Sequence, residues 1–133
     1  MKQILSREDL ALCRVDLPKS EARFRSVDEI VDWLKSRIET HPMARFIAVF
    51  DHYAHTASLA EGVISPDILA AKNIVFCFGL TLPDPEALAL RPRSIGVCEL
   101  PDRFVITFLE PPMPVANTMI EEWVSSICSR EAA

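Results

Sequence analysis

Asp51, His52, Tyr53 and His55 lie together in "FDHYAHTAS", residues 50–58, and no other short stretch of the chain gathers as many side chains able to do chemistry. An imidazole titrates near neutral pH and works as a general base once a neighbour fixes its tautomer. Asp51 or Tyr53 has the chemistry to orient His52 or His55 in that way. Two histidines three apart also share a helix face and can turn paired nitrogens toward a metal. The sequence completes neither arrangement. Zinc takes three or four ligands, and Glu61, Cys77 and His41 stand at no motif spacing, while Leu59 continues the histidine face with an apolar group. No metal is expected. There is no G-x-S-x-G turn to expose Ser58 or Thr56 as a nucleophile, and no cysteine sits beside a base, so no catalytic residue is assigned. Asp51 has a simpler use as the N-cap of a helix running from His52 to about Leu59.

A second group is "RPRS", residues 91–94, where a stiff proline holds Arg91 and Arg93 apart ahead of a strand. Two guanidinium forks can clamp a carboxylate or phosphate, although solvated arginines at a loop end are the plainer reading. The candidate ligand-binding residues are therefore Asp51, His52, Tyr53, His55, Arg91 and Arg93. Topology decides whether they meet. If the strands beginning near 44 and 72 run parallel, both groups lie at one end of the sheet; if antiparallel, Arg91 falls at the far end. Gly62, Gly79 and Gly96 are the only glycines, so a phosphate-cradling loop is absent and no cofactor is expected.

The elements that position these residues follow from periodicity. Leu10–Leu17 alternates and ends at Pro18, a strand. Ser26 and Glu29 form a capping box ahead of Val27, Ile30, Val31, Leu34 and Ile38, a helical stripe that Pro42 stops. Ala44–Phe50 is apolar on both sides of its alternation and reads as a central strand, and Lys72–Gly79 reads the same way. Arg93–Leu100 and Arg103–Glu110 flank Pro101-Asp102 as an antiparallel hairpin. Beyond Pro111, Pro112 and Pro114, the residues Val115, Met119, Ile120, Trp123, Val124 and Ile127 predict a terminal amphipathic helix.

These elements predict an α+β fold: a two-layer sandwich of a mostly antiparallel five-stranded sheet and two long amphipathic helices, with Phe46, Phe76, Phe78, Phe104 and Phe108 between the layers. If both helices share a face, the other face of so apolar a sheet needs cover, which predicts a homodimer formed through the sheet. The chain, with 133 residues of which half are hydrophobic, is expected to form one domain over 1–133. Its formal charge of -5, with basic residues interspersed among acidic ones, argues against nucleic acid as a partner. No stretch approaches the ~20 apolar residues of a membrane helix, and "MKQILSREDLAL" lacks a secretory core. A cytoplasmic protein with no membrane partner is expected, and Cys13, Cys77, Cys98 and Cys128 are read as reduced, mostly buried thiols.

The run from "FRSVDEIVDWLKSRI" through "FIAVFDHYAHTASL", "ISPDILAAKNIVFCFG" and "RPRSIGVCELPDRFVITFLEPP" resembles the bacterial family called domain of unknown function 302, over about 90 residues from Phe24 to Pro112. That family usually carries Asn-Pro after the strand-ending glycine, whereas Leu80-Thr81 follows Gly79 here, and "DPEALAL" stands where the family has a longer helix. The resemblance implies a two-layer sandwich with a largely antiparallel sheet, often paired into dimers, and no established activity. The functional expectation is a protein of unknown function: a non-catalytic domain that binds a small, anionic ligand or a protein partner. The alternative is a small hydrolase or isomerase using the Asp51, His52, Tyr53 and His55 cluster.

Overall fold

Cys13, Val15 and Leu17 point one way along β1 (Ala11–Pro18), and Leu17 enters the core. Helix α1 (Val27–Thr40) starts where Ser26 Oγ accepts from the Glu29 N–H at 3.1 Å. The Glu29 carboxylate accepts from the Arg25 N–H at 2.6 Å, one residue earlier than a standard box. Val27, Ile30, Val31, Leu34 and Ile38 form its buried stripe. Ser26→Ala removes the cap and is expected to cost about 1 kcal/mol in chemical denaturation, with the native fold retained.

The computed structural model describes residues 11–110 and 114–128. The remaining elements are β2 (Ala44–Asp51), α2 (His52–Ser58), β3 (Ala70–Phe78), a 3-10 turn at Pro85–Ala89, β4 (Arg93–Glu99), β5 (Arg103–Glu110) and α3 (Pro114–Cys128). The strands form one five-stranded sheet in the order β1-β5-β4-β3-β2, and every neighbouring pair is antiparallel. The α+β class and the sequence of elements are those predicted. Leu10, Pro111 and Pro112 lie outside the described residues, as does the side chain of Val115.

One core joins the sheet to α1 and α3. Phe76, Ile74, Ile95 and Ile106 from the sheet meet Ile30, Leu34 and Ile38 from α1 and Ile120, Trp123 and Ile127 from α3. Trp123 stands edge-on to Phe76 with ring centroids 5.8 Å apart, an arrangement that places ring edge against ring face. Across the helices, Trp33 Nε1 donates to Ser126 Oγ at 2.9 Å. The Arg23 and Arg37 guanidinium groups lie 4.6 and 4.7 Å from the Trp33 ring. Of the predicted interlayer aromatics, Phe76, Phe78, Phe104 and Phe108 are buried and Phe46 packs partly buried against them.

Two expectations need correction. β2 is not central: it is an edge strand, and from Ile47 onward its side chains are exposed. Ala44 and Phe46 take the core, a register shift intervenes between Phe46 and Ala48, and Phe50 then pairs with Asn73 on the other side of the sheet. The apolar alternation of β2 thus serves two different surfaces, which composition alone does not separate from burial in a single core. The four cysteines are free and half-buried rather than mostly buried.

Both long helices lie on the same face of the sheet, because the residues they bury against, such as Ile74, Ile95 and Ile106, all alternate to one side. The opposite face carries rows set by the register. Phe50, Asn73, Gly96, Thr107 and Arg14 form one row across all five strands. Ala71, Cys98, Val105 and Asp16 form the row on one side of it, and Ala48 pairs with Val75 on its other side. Neither long helix covers these rows; α2 and the segment after it lie against Phe50, Asn73 and Ala71 at the β2–β3 side.

Candidate functional site

The antiparallel pairing of β2 with β3 fixes where the two candidate groups lie. Asp51 pairs with Lys72 at one end of β3, while Arg93 pairs with Phe76 near the other. The histidines and Arg91 are therefore at opposite ends of the sheet, as expected for the antiparallel case.

At the first end Asp51 caps α2, its Oδ1 accepting from the Ala54 N–H at 2.8 Å. Its other oxygen lies 4.0 Å from Lys72 Nζ, which itself sits 2.6 Å from Asp28 Oδ1. The bond to Asp28 raises the Lys72 ammonium above its ordinary value, opposed by partial burial. Asp51 thus does structural work and does not orient a histidine. His52 and His55 both stack near Phe50, at 5.1 and 5.3 Å between centroids, and stand edge-on to each other at 6.3 Å. Among the described residues no group of three or more His, Cys, Asp or Glu side chains is arranged to hold a metal. Tyr53 turns the other way, joining His52, Thr56 and Ile64 around a shallow groove of about 270 Å3 between α2 and the segment before β3.

His52 is oriented by a residue that the sequence does not announce. Its Nδ1 lies 3.3 Å from Asn73 Oδ1, and Asn73 Nδ2 donates to Ser94 Oγ at 3.0 Å. The chain His52–Asn73–Ser94 crosses three elements on the uncovered face.

At the other end Arg91 Nη1 donates to the Thr81 carbonyl and lines an apolar groove of about 360 Å3 with Leu80, Leu82 and Leu88. Gly79 begins that segment with φ of 109°, a left-handed conformation that favours glycine. Arg93 is buried, and its guanidinium is lowered from its ordinary value by burial first and by the like charge of Arg91 second.

Between the two ends lies a third groove, of about 320 Å3. Asn73, Ser94, Gly96 and Thr107 give it polar character, Leu12, Leu90 and Leu109 give it apolar walls, and Arg93 lies along it. Gly96 creates the space: a Cβ there would come within 3.0 Å of Thr107 Oγ1 and 3.6 Å of Asn73 Nδ2. The groove thus touches one member of each predicted group, Arg93 directly and His52 through Asn73, while Asp51, Tyr53, His55 and Arg91 are not among its lining residues. Sequence reading missed Asn73, Ser94 and Thr107. Their only signal is that each interrupts an apolar strand on the same side of its alternation, and register is needed to bring them side by side.

No curated protein and no solved structure matches the chain. One family model does, described as a family of unknown function (DUF6858), over residues 1–129.

Proposed function

Since the chain belongs to the family of unknown function DUF6858, we propose a role from its geometry: a binding domain, not an enzyme, that pairs with a second copy through its uncovered sheet face and holds a small ligand there. The observation that carries this reading is the placement of α1 and α3 on one face, with Leu12, Ile47, Phe50 and Leu109 exposed on or beside the other. Five strands at ~4.8 Å spacing, each about eight residues of ~3.4 Å, give a face of roughly 650 Å2 in all. α2 and the segment after it take the part of that face over Phe50, Asn73 and Ala71, so the contact with a second copy falls on the remaining part, toward β4, β5 and β1. The centre of the face is apolar or small, with Val75, Ala71, Cys98 and Val105, and its β1 margin carries the Arg14–Asp16 pair, whose opposite charges suit a two-fold contact.

The enzyme alternative gains no support from the geometry, because Asp51 is engaged by α2 and Lys72, and Asn73 takes the orienting role at His52. A reducing compartment, the cytoplasm, suits four free cysteines. Among the described residues no helix is long and apolar enough to cross a membrane. The resemblance to domain of unknown function 302 fits the same reading as a distant relationship, since paired sandwiches of unknown activity are what it implies.

Thiol protection tests the pairing on the native chain. Cys98 is on the uncovered face and Cys128 is on α3, and burial raises both thiols above their ordinary values. Alkylation of Cys98 is expected to slow as protein concentration rises through the dimerisation range, while that of Cys128 stays constant. Equal, concentration-independent rates alongside a monomeric sedimentation mass would end the proposal.

A further inference from the structure

We infer that β1 is an interaction edge and pairs antiparallel with β1 of a second copy, about a two-fold axis through Val15. The contact continues the sheet edge to edge and leaves the open face free, so it goes beyond the face pairing proposed above and stands without it.

The first support is a backbone row left open. β1 ends the sheet. The Lys19 N–H donates to the Asp102 carbonyl at 2.9 Å, one step past the pairing of Pro18 with Arg103, and the Leu100 N–H donates to the Arg103 carbonyl at 2.8 Å on the other side of β5. Both bonds set the same phase. Odd-numbered residues of β1 turn their N–H and C=O groups to β5, and Leu12, Arg14 and Asp16 turn theirs off the edge. β1 keeps one unbroken register against β5, so these groups form a regular row. Its proline stands at the last position, Pro18, where it removes one donor and leaves the rest. β2, the opposite edge, is interrupted by the register shift between Phe46 and Ala48, an irregularity of the kind that blunts an edge against added strands.

The second support is charge. Arg14 and Asp16 point to the open side of β1, with Arg14 Nε and Asp16 Oδ1 2.7 Å apart. A two-fold axis through Val15 sets Arg14 opposite Asp16 of the second copy and Asp16 opposite its Arg14, which closes a ring of alternating charges. It also sets Leu12, 62% exposed, against Pro18 of the second copy. Moving the axis by one residue, to Arg14 or to Asp16, places like charges face to face. Edge charges guard against strand addition in general, but this pair admits one register and rejects its neighbours. On the helix side the same axis brings Val15, half-buried at the rim of the core, against its own copy and removes apolar surface from water. The axis stands normal to the sheet, at right angles to one that stacks two open faces, so both contacts fit one closed assembly.

The test uses the full chain. Opposite residues of an antiparallel pair have Cα atoms about 4.5–5.5 Å apart, within reach of a disulfide. Val15→Cys is expected to oxidise in air to a dimer whose peptide map joins position 15 to position 15. Val49→Cys, on the helix side of the β2 edge, measures random collision and should give no such link. Val15 lies on the helix side of the sheet, so stacking of open faces cannot bring two copies of it together. Charge reversal gives a second readout, by sedimentation with Val75→Lys added to silence the open face. Arg14→Asp and Asp16→Arg should each weaken the edge contact by about tenfold, whereas an equimolar mixture of the two should pair as well as the unreversed chain, because unlike charges again stand opposite. No link at position 15 above the Val49→Cys level, or a mixture as weak as its components, would overturn the inference. So would a chain that stays monomeric on that background at every concentration, which leaves the edge to a strand from another protein.

Discussion

Phe76→Ala is expected to lower stability by roughly 3–5 kcal/mol, measured as a shift in the denaturant midpoint at constant slope. Phe76 is fully buried in the second strand from the β2 edge, between Trp123 of α3 and the α1 stripe. Truncation removes its transfer energy and leaves a cavity. The surroundings are poorly able to close it, because Ile74 and Phe78 on the same strand and Phe46 opposite are fixed by the ladder. A loss of that size is a large share of the ~5–15 kcal/mol that holds a domain folded, so thermal unfolding should fall by on the order of 10 °C or more. A change under 1 kcal/mol would mean that α3 does not pack on this sheet as described.

Val75→Lys is expected to leave the monomer folded and to weaken self-association by about a hundredfold or more. Val75 alternates to the uncovered face, between Ala48 on β2 and Ser94 on β4, and is half-buried in one chain. In the monomer a lysine at that position reaches water along its aliphatic stem, with little cost. Covered by a second copy, the ammonium loses its hydration without gaining a partner, a penalty of roughly 3–5 kcal/mol. At ~1.4 kcal/mol per decade this exceeds a hundredfold in the dimer dissociation constant. Sedimentation velocity at several concentrations reads the change, and circular dichroism verifies the fold. An unaltered dimer would move the interface off this face.

The short-range features were legible because their causes are local. The Ser26 cap, the Asp51 cap, the α1 stripe, the turn at Pro101-Asp102 and the terminal helix each depend on residues a few positions apart, and each is found as read. The misplacement of β2 has the opposite origin. An apolar strand looks the same whether both its sides are buried in one core or one side is left for another surface, and only the strand order distinguishes the two. The candidate site was half legible for the same reason. His52 and Arg93 stand out by type, but their connection runs through Asn73 and Ser94, which are 21 residues apart and meet only by register.

The sequence by itself determined which segments become helices and strands and which aromatics lie between the layers. Tertiary structure alone decided that both long helices share one face of the sheet, that β2 ends it, and that Gly96 opens a notch beside the Thr107 hydroxyl and the Asn73 amide. Helix and strand periods, caps and turns are set by neighbours along the chain, whereas a row across five strands is set by pairing between segments up to 99 residues apart, as Ala11 with Glu110. No local pattern encodes that distance.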